Sequence, residues 1–449
     1  MRIVQITRVH IYANHFLYAM KVCIDNVSNL LESNNFLRAL WAELRNEFGK
    51  CAWNYQPFKD GALQTIFLGW ADINQKQAIP ISLGYSQRGI ISEIDFGDRF
   101  GKVHVSEESE LGKQLKDAVD KAFLRRNSPI TTILEAPISS LYRSLAPYSG
   151  RWFEIVPTQH PISLLRVKIR AFDAIDAKAE YLRLSSFILD ILSIETNSLF
   201  WISNQEDRIE ITSDMKSEEI PCPAPNTFVS DEEWMDDIPR CNDYLLISSQ
   251  AVHFFDRILS KDELSSEEES FIRSCHHFHV AREQDALIHD RLVSTGDQKS
   301  EDGSITLSLR EHPRLKSGSM LPRRAEELAT VLYMSAIEVA STINFNPPGK
   351  CDACGQEQYK ISARVIDYVK RYLALEKEHH LVRVFKSHYS KRSRYLHAGV
   401  VLSDYSYAGT TIPRLDPSSD SGVSQKTSVL LVNLREWIGY MLRQQLKTI

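Results

Sequence analysis

The feature that most restricts this chain is a change in the period of its apolar residues partway along. In the first part, "TIFLGW", "IPISLGY", "GIISEIDF" and "KVHVS" are short β-rich runs set between Gly, Pro, Asn and Gln, which predicts a small sheet. "RWFEIVP" and "SLLRVKIRAF" predict two further strands. Helical spacing alternates with them: one or two helices between Phe16 and Phe48, "ELGKQLKDAVDKAFLRR", and "AKAEYLRLSSFILDIL". Beyond about residue 245 the period-two signal nearly vanishes and three-and-four spacing takes over. Residues 213–241, acidic and holding four prolines, separate the two regimes.

The fold class this predicts is α+β, with an N-terminal mixed α/β domain over 1–212 and an acidic, Pro-rich linker over 213–244. Residues 245–449 then form an all-α antiparallel bundle of five or six helices. Ser265 and Ser266 ahead of Glu267–Glu269 predict a helix start, and Pro322 sits in the first turn of another helix. The stretch 294–304 reads as a polar loop, and "ISARVIDYVKRYLALEKEHHLVRVFKSHYSKRSRYLHAG" as two helices or one broken helix, with His379 and His380 at the junction. "SYAGTTIPRLDPSSDSGVSQ" reads as a loop ahead of a closing amphipathic helix.

A formal net charge of -5 gives no global signature for nucleic acid, so any such contact depends on a local patch. The seven cysteines, sparse and odd in number, fit free thiols in a reducing compartment. No run of uninterrupted apolar residues is long enough to span a membrane, and the N-terminus lacks the pattern of a secretory signal, so a cytoplasmic location is expected. The glycine loops that cradle nucleotide phosphates are missing from the first half.

The chemistry-bearing stretch is "SHYSKRSRYLHAG", residues 387–399. Arg392 and His397 are five positions apart, which on a regular helix leaves their side chains about 140° apart in azimuth and about 7.5 Å apart along the axis. They do not share one face of a straight helix. The spacing makes more sense at a helix end, or where two such helices meet across a dimer.

Tyr389, Arg392, Ser393, His397 and Gly399 stand in the context Y-x-x-R-S-x-x-x-H-x-G, and upstream Glu338 stands in "LYMSAIEVA". On these residues the stretch of roughly 260–449 resembles the HEPN superfamily, and within it the Apea-like branch. The resemblance implies a metal-independent endoribonuclease, often a toxin or an antiviral (abortive infection) effector, that dimerises to build a composite site. It implies His397 as acid/base, Arg392 as phosphate clamp, Ser393 as polar support and Glu338 as a supporting residue. The expected partners are RNA, either tRNA or mRNA, and a second copy of the chain, with a higher oligomer left open. The residue types suit that chemistry, because cleaving RNA without metal needs proton transfer and a cation for the charge growing on phosphorus. Lys386, Lys391 and Arg394 form a basic rim for the backbone. Tyr389 and Tyr395 either stack a base or pack inside the bundle. The alternative function is a catalytically silent module that dimerises and binds nucleic acid or a protein partner.

Three other stretches are less specific. Cys351-x-x-Cys354 is shaped like half of a zinc knuckle, yet no second Cys-x-x-Cys completes four ligands. A structural zinc and a helix-capping loop with two free thiols both remain open, and catalysis needs no cofactor. In "CHHFHVAREQDALIHDR", His276 and His279 share a helical face while His277 points elsewhere, without a His-Glu-x-x-His pattern. These histidines are read as lining the bundle or the dimer surface, with helix count alone offering the alternative that His279 or Arg282 faces the Arg–His site and helps with RNA. "DEEWMDDIP" is an acidic run read either as a solvated loop or as a cover over a basic groove.

Overall fold

The computed structural model describes residues 20–25, 27–49, 52–59, 64–73, 77–86, 89–97, 105–141, 143–159, 161–202, 209–212, 215, 240–241, 244–261, 263–289, 292–299, 305–311, 322–345, 349, 361–399, 406–407, 410–411 and 431–449. The chain is mixed α+β and divides into two compact units, Met1–Thr131 with Arg170–Glu180, and Thr132–Ile169 with Tyr181–Ile449. The boundary expected at 213–244 falls inside the second unit, and most of that segment lies outside the described residues.

The first unit is built on an antiparallel sheet. Its strands are β1 (Met20–Cys23), β2 (Ala52–Lys59), β3 (Thr65–Ile73), β4 (Gln77–Tyr85) and β5 (Ile91–Phe96), in the order β1-β5-β4-β3-β2. Helices α1 (Leu30–Phe48) and α2 (Glu110–Arg125) pack on each other, and their buried Phe36, Leu40, Leu44, Leu115 and Val119 share a core with Ile79, Ile81 and Phe96 of the sheet. Asn29 caps α1, its side chain accepting from the Glu32 N–H at 2.9 Å. Of the helical reading between Phe16 and Phe48, Leu30–Phe48 is helix and Met20–Cys23 is not, while residues 16–19 lie outside the described residues. Met20–Cys23 is a strand because it pairs residue by residue with β5, from Met20 opposite Phe96 to Cys23 opposite Glu93.

Next along the chain come β6 (Ile130–Ser140), β7 (Tyr148–Ser149), β8 (Phe153–Pro157), β9 (Ile162–Ala171), α3 (Ala174–Thr196), β10 (Phe200–Ile202) and β11 (Glu210–Thr212), of which Thr132–Ile169 and everything from Tyr181 on belong to the second unit. The sheet order is β10-β6-β9-β8-β7, with β11 pairing β6. Along β9 buried and half-buried residues alternate strictly, burying Ser163, Leu165, Val167 and Ile169 on one face. Tyr181 of α3 donates its hydroxyl to the Leu165 carbonyl at 2.8 Å, which fastens the helix to that face.

After the short pair β12 (Arg240–Cys241) and β13 (Tyr244–Leu245) come α4 (Ser249–Ser260) and α5 (Ser266–His289). Ser265 and Glu268 form a reciprocal capping box at the start of α5, as its sequence suggests. The polar loop expected at 294–304 is corrected. Residues Leu292–Lys299 form β14 and pair with β15 (Ile305–Glu311) in a hairpin, while 300–304 lie outside the described residues. The alternation in "ITLSLRE" supplies the strand that pairs with the polar run.

Helices α6 (Pro322–Ala340), α7 (Ile361–Tyr372) and α8 (His380–Ala398) follow, then a two-residue ladder of β16 (Ser406–Tyr407) with β17 (Thr410–Thr411), and finally α9 (Leu431–Leu446). Helix α6 is central, packing against α5, α7, α8 and α9. Ser274 of α5 donates to the Ala336 carbonyl at 2.7 Å, and the Tyr368 hydroxyl of α7 donates to Gln445 of α9 at 2.9 Å. The break between α7 and α8 includes Ala374 at φ 50°, and His379 caps α8 by accepting from the Leu381 N–H.

No helix among the described residues is long and apolar enough to cross a membrane.

Candidate functional site

Helix α8 carries Arg392 and His397 in one continuous run. Its buried residues Leu381, Val382, Phe385 and His388 mark the core-facing stripe, and Arg392, four residues past His388, extends that stripe toward the helix end. His397 lies away from it and is exposed. The helix stops two residues later at Gly399, which adopts the left-handed conformation at φ 63° and returns its N–H to the Tyr395 carbonyl at 3.1 Å. The pair thus sits at a helix end, with its two members diverging.

Arg392 is positioned from α6. Its Nη1 lies 2.7 Å from Glu338 Oε2, its Nη2 donates to Ser335 Oγ at 3.3 Å, and the guanidinium stands 5.9 Å from the Tyr389 ring centroid. The side chain is only 14% exposed, and its Nε is buried with no hydrogen-bond partner among the described residues. Glu338 is the hub of the cluster, because the Tyr389 hydroxyl also hydrogen-bonds to it. Burial first, and then the charge of Glu338, push the Tyr389 phenol up to about 12. Arg364 of α7 feels the same carboxylate. Its Nε donates to Ser341 Oγ at 3.0 Å, and burial lowers its pKa while Glu338 opposes the fall.

The remaining expected residues lie on α8 with varied exposure. Lys386 and Arg394 are exposed, whereas Lys391, Ser393, Tyr389 and Tyr395 are half-buried. The structure therefore brings Arg392, Tyr389 and Glu338 together and leaves His397, Arg394 and Lys386 toward solvent. Cys351, Cys354 and the acidic run 231–239 lie outside the described residues. Among the described residues no group of three or more His, Cys, Asp or Glu is placed to hold a metal ion, and Cys23 and Cys275 are free thiols.

The histidines of α5 take up two environments. Asp190 of α3 is buried, and its two carboxylate oxygens meet His276 Nδ1 at 3.2 Å and His279 Nδ1 at 2.7 Å. Burial pushes the Asp190 carboxyl up, but the bonds from the two imidazoles outweigh it and hold the group below the usual carboxylate range. The Asp190 bond raises His276. His279 is tied at both nitrogens, its Nε2 reaching the Phe200 carbonyl at 2.9 Å. His277 faces the other way, where burial lowers it first, then the charges of His276 and Arg392.

This corrects the expectation for His279 and Arg282. His279 serves Asp190, and Arg282 is buried with its Nε on the Asn197 carbonyl at 2.8 Å. The neighbours missed in the sequence are His277, Arg364 and Ser335. Ser335 was legible in hindsight, since it is one helical turn from Glu338 on α6, but nothing local marks Arg364.

No protein-family model matches this sequence, and no curated protein or solved structure matches it.

Proposed function

We propose that the chain is a metal-independent endoribonuclease of the HEPN type, acting as a toxin or antiviral effector, with Arg392 as its phosphate clamp. The observation that carries this reading is the state of Arg392. The guanidinium is fixed by Glu338 and Ser335 near the end of α8, yet keeps one buried N–H donor without a partner among the described residues. A phosphate oxygen matches a guanidinium N–H in charge and as an acceptor. In this reading the 2′-hydroxyl of RNA attacks the adjacent phosphorus and the P–O5′ bond breaks, leaving a 2′,3′-cyclic phosphate and a 5′-hydroxyl. Arg392 stabilises the charge on phosphorus, and His397 moves a proton. Because Arg392 and His397 diverge on one helix, a second copy of the chain supplies the other half of the composite site. Ser393 gives polar support. Lys386, Lys391 and Arg394 hold the RNA backbone, and Tyr389 and Tyr395 flank the bases.

One observation favours a second reading. Glu338 already neutralises Arg392 at 2.7 Å, as it does in a protein that needs the pair only for folding. A silent module that dimerises and binds nucleic acid or a partner fits that state. Expression in a bacterial host separates the two. The nuclease reading predicts growth arrest with fragmented RNA from wild type, and normal growth with His397→Ala at equal protein level. Equal growth of the two strains, with intact RNA in both, supports the silent module.

A further inference from the structure

The side of α8 turned away from the core carries a continuous basic stripe. At about 100° per residue, Arg383, Lys386, Ser387, Ser390, Arg394 and His397 fall within about 100° of one another around the helix. All six are exposed. The buried Leu381, Phe385 and His388 lie on the opposite side, and Arg392 lies there with them. Helix α8 holds no Asp or Glu, and among the described residues no carboxylate pairs with Arg383, Lys386 or Arg394. From Arg383 to His397 the stripe extends about 21 Å along the helix axis, at about 1.5 Å per residue. Glu376 and Glu378, exposed just ahead of α8, reverse the charge at the far end.

We propose that this stripe is a track for single-stranded RNA, which leads the strand to His397 of the same chain, where it meets Arg392 of the second copy. A strand carries one phosphate about every 3.4 Å, so a path of about 21 Å passes about six of them. Cations without a carboxylate partner, spaced along one line, suit that polyanion. The hydroxyls of Ser387 and Ser390 between them can donate to phosphate oxygens or accept from a 2′-hydroxyl. A stripe one or two side chains wide follows one backbone rather than the two of a duplex. A lipid surface fits less well, because a helix that lies on a membrane needs an apolar face beside its charges. Leu396, the large apolar residue that α8 exposes, lies off the stripe.

The stripe also divides the composite site between the copies. His397 is on it, whereas Arg392 is on the inward side, 2.7 Å from Glu338 of α6. A strand that follows the stripe therefore reaches its own chain's His397 but stays across the helix from its own chain's Arg392. The guanidinium it meets comes from the second copy. In each of the two sites one copy gives the track and the histidine, and the other gives the arginine. Arg383, which stands outside the Arg–His motif, becomes a substrate-binding residue about 21 Å from the acid/base group.

The division between copies rests on the nuclease reading above, whereas the track does not, and the test keeps them apart. Binding of a single-stranded 2′-O-methyl RNA, which cannot be cleaved, is measured across a range of salt concentrations. The proteins are full-length wild type and the triple variant Arg383→Gln, Lys386→Gln, Arg394→Gln. Each lost contact is expected to flatten the plot of log affinity against log salt by about 0.7, so about 2 for the triple variant. Arg383→Lys with Arg394→Lys, which keeps the charges, is expected to keep the slope. Wild-type affinity and slope in the triple variant overturn the track. Cleavage of tRNA in EDTA then reads the division, using two differently tagged copies expressed together. An Arg392→Ala copy beside a His397→Ala copy is expected to restore about half of wild-type kcat/KM, since one of two symmetric sites is intact. Adding the three glutamines to the Arg392→Ala copy, which supplies the working histidine, is expected to cost at least about tenfold more than adding them to the His397→Ala copy. Equal costs, or mixed copies that stay inactive beside an active wild type, overturn the division. Wild type that leaves tRNA intact, with the slope change present, sinks the nuclease reading and leaves the track standing.

Discussion

Single residues on α8 show how one helix serves both core and site. His388 is buried, 5% exposed, and its Nδ1 has no hydrogen-bond partner among the described residues. Burial first and Lys391 second bring its pKa down from 6.5 to about 4. The native state therefore binds fewer protons than the unfolded chain between about pH 6.5 and pH 4, so stability falls as pH falls through that window. At 1.36 kcal/mol per unit the loss at this site reaches about 3 kcal/mol by pH 4. His388→Leu is expected to remove it. Urea unfolding at pH 7 and pH 4 should show wild type losing about 3 kcal/mol more than the variant, and equal losses would contradict the assignment. The periodicity that places His388 in the core was legible in the sequence, because 381, 385 and 388 follow helical spacing. The partnership of Arg392 with Glu338 was legible only as two separate motif residues, since their 54-position separation carries no local signal. His277 was read correctly as facing away from His276 and His279, but what it faces depends on α6 and α8.

At the scale of elements, the last turn of α8 depends on Gly399. Its φ of 63° is left-handed, and a Cβ there would meet nothing within 4 Å, so the cost of substitution is conformational rather than steric. Gly399→Ala is expected to destabilise by about 1 kcal/mol, and Gly399→Asn by less, since asparagine visits this region more readily. Denaturant melts of the two variants check the order. An alanine variant as stable as wild type would mean that the cap does not hold the turn bearing His397. Caps and breaks of this kind were the most readable features, as at Ser265, Pro322 and the His379–His380 junction. Local chemistry decides them. The hairpin β14–β15 was missed because its first strand has loop composition, and pairing with β15 outweighs propensity there.

At the scale of the whole molecule, helices after residue 245 rest on bonds to residues well before the acidic segment. Ser248 N–H donates to Glu195 at 2.8 Å, Arg282 to the Asn197 carbonyl at 2.8 Å, and Arg443 to the Ile194 carbonyl at 2.7 Å. Asp190 and Phe200 fix His276 and His279. A fragment of residues 245–449 loses all of these acceptors around the buried Arg282 and Arg443. We expect it to lack a cooperative urea transition, while residues 129–449 keep one; a sharp transition in the shorter fragment would contradict this. The composition shift at 213–241 suggested a domain boundary there, yet compactness follows long-range packing, which one local stretch cannot announce. The split between a strand-rich first part and a helix-rich last part was readable throughout, because the two periods differ.

The role of Arg392 is read from the ends that cleavage leaves on RNA. Purified wild type and Arg392→Ala are incubated with tRNA in EDTA, and the ends of any fragments are identified. Metal-independent cleavage at Arg392 gives fragments ending in 2′,3′-cyclic phosphate from wild type and none from the variant. Equal cleavage by both proteins, or fragments that form only when a divalent metal is restored, would contradict it.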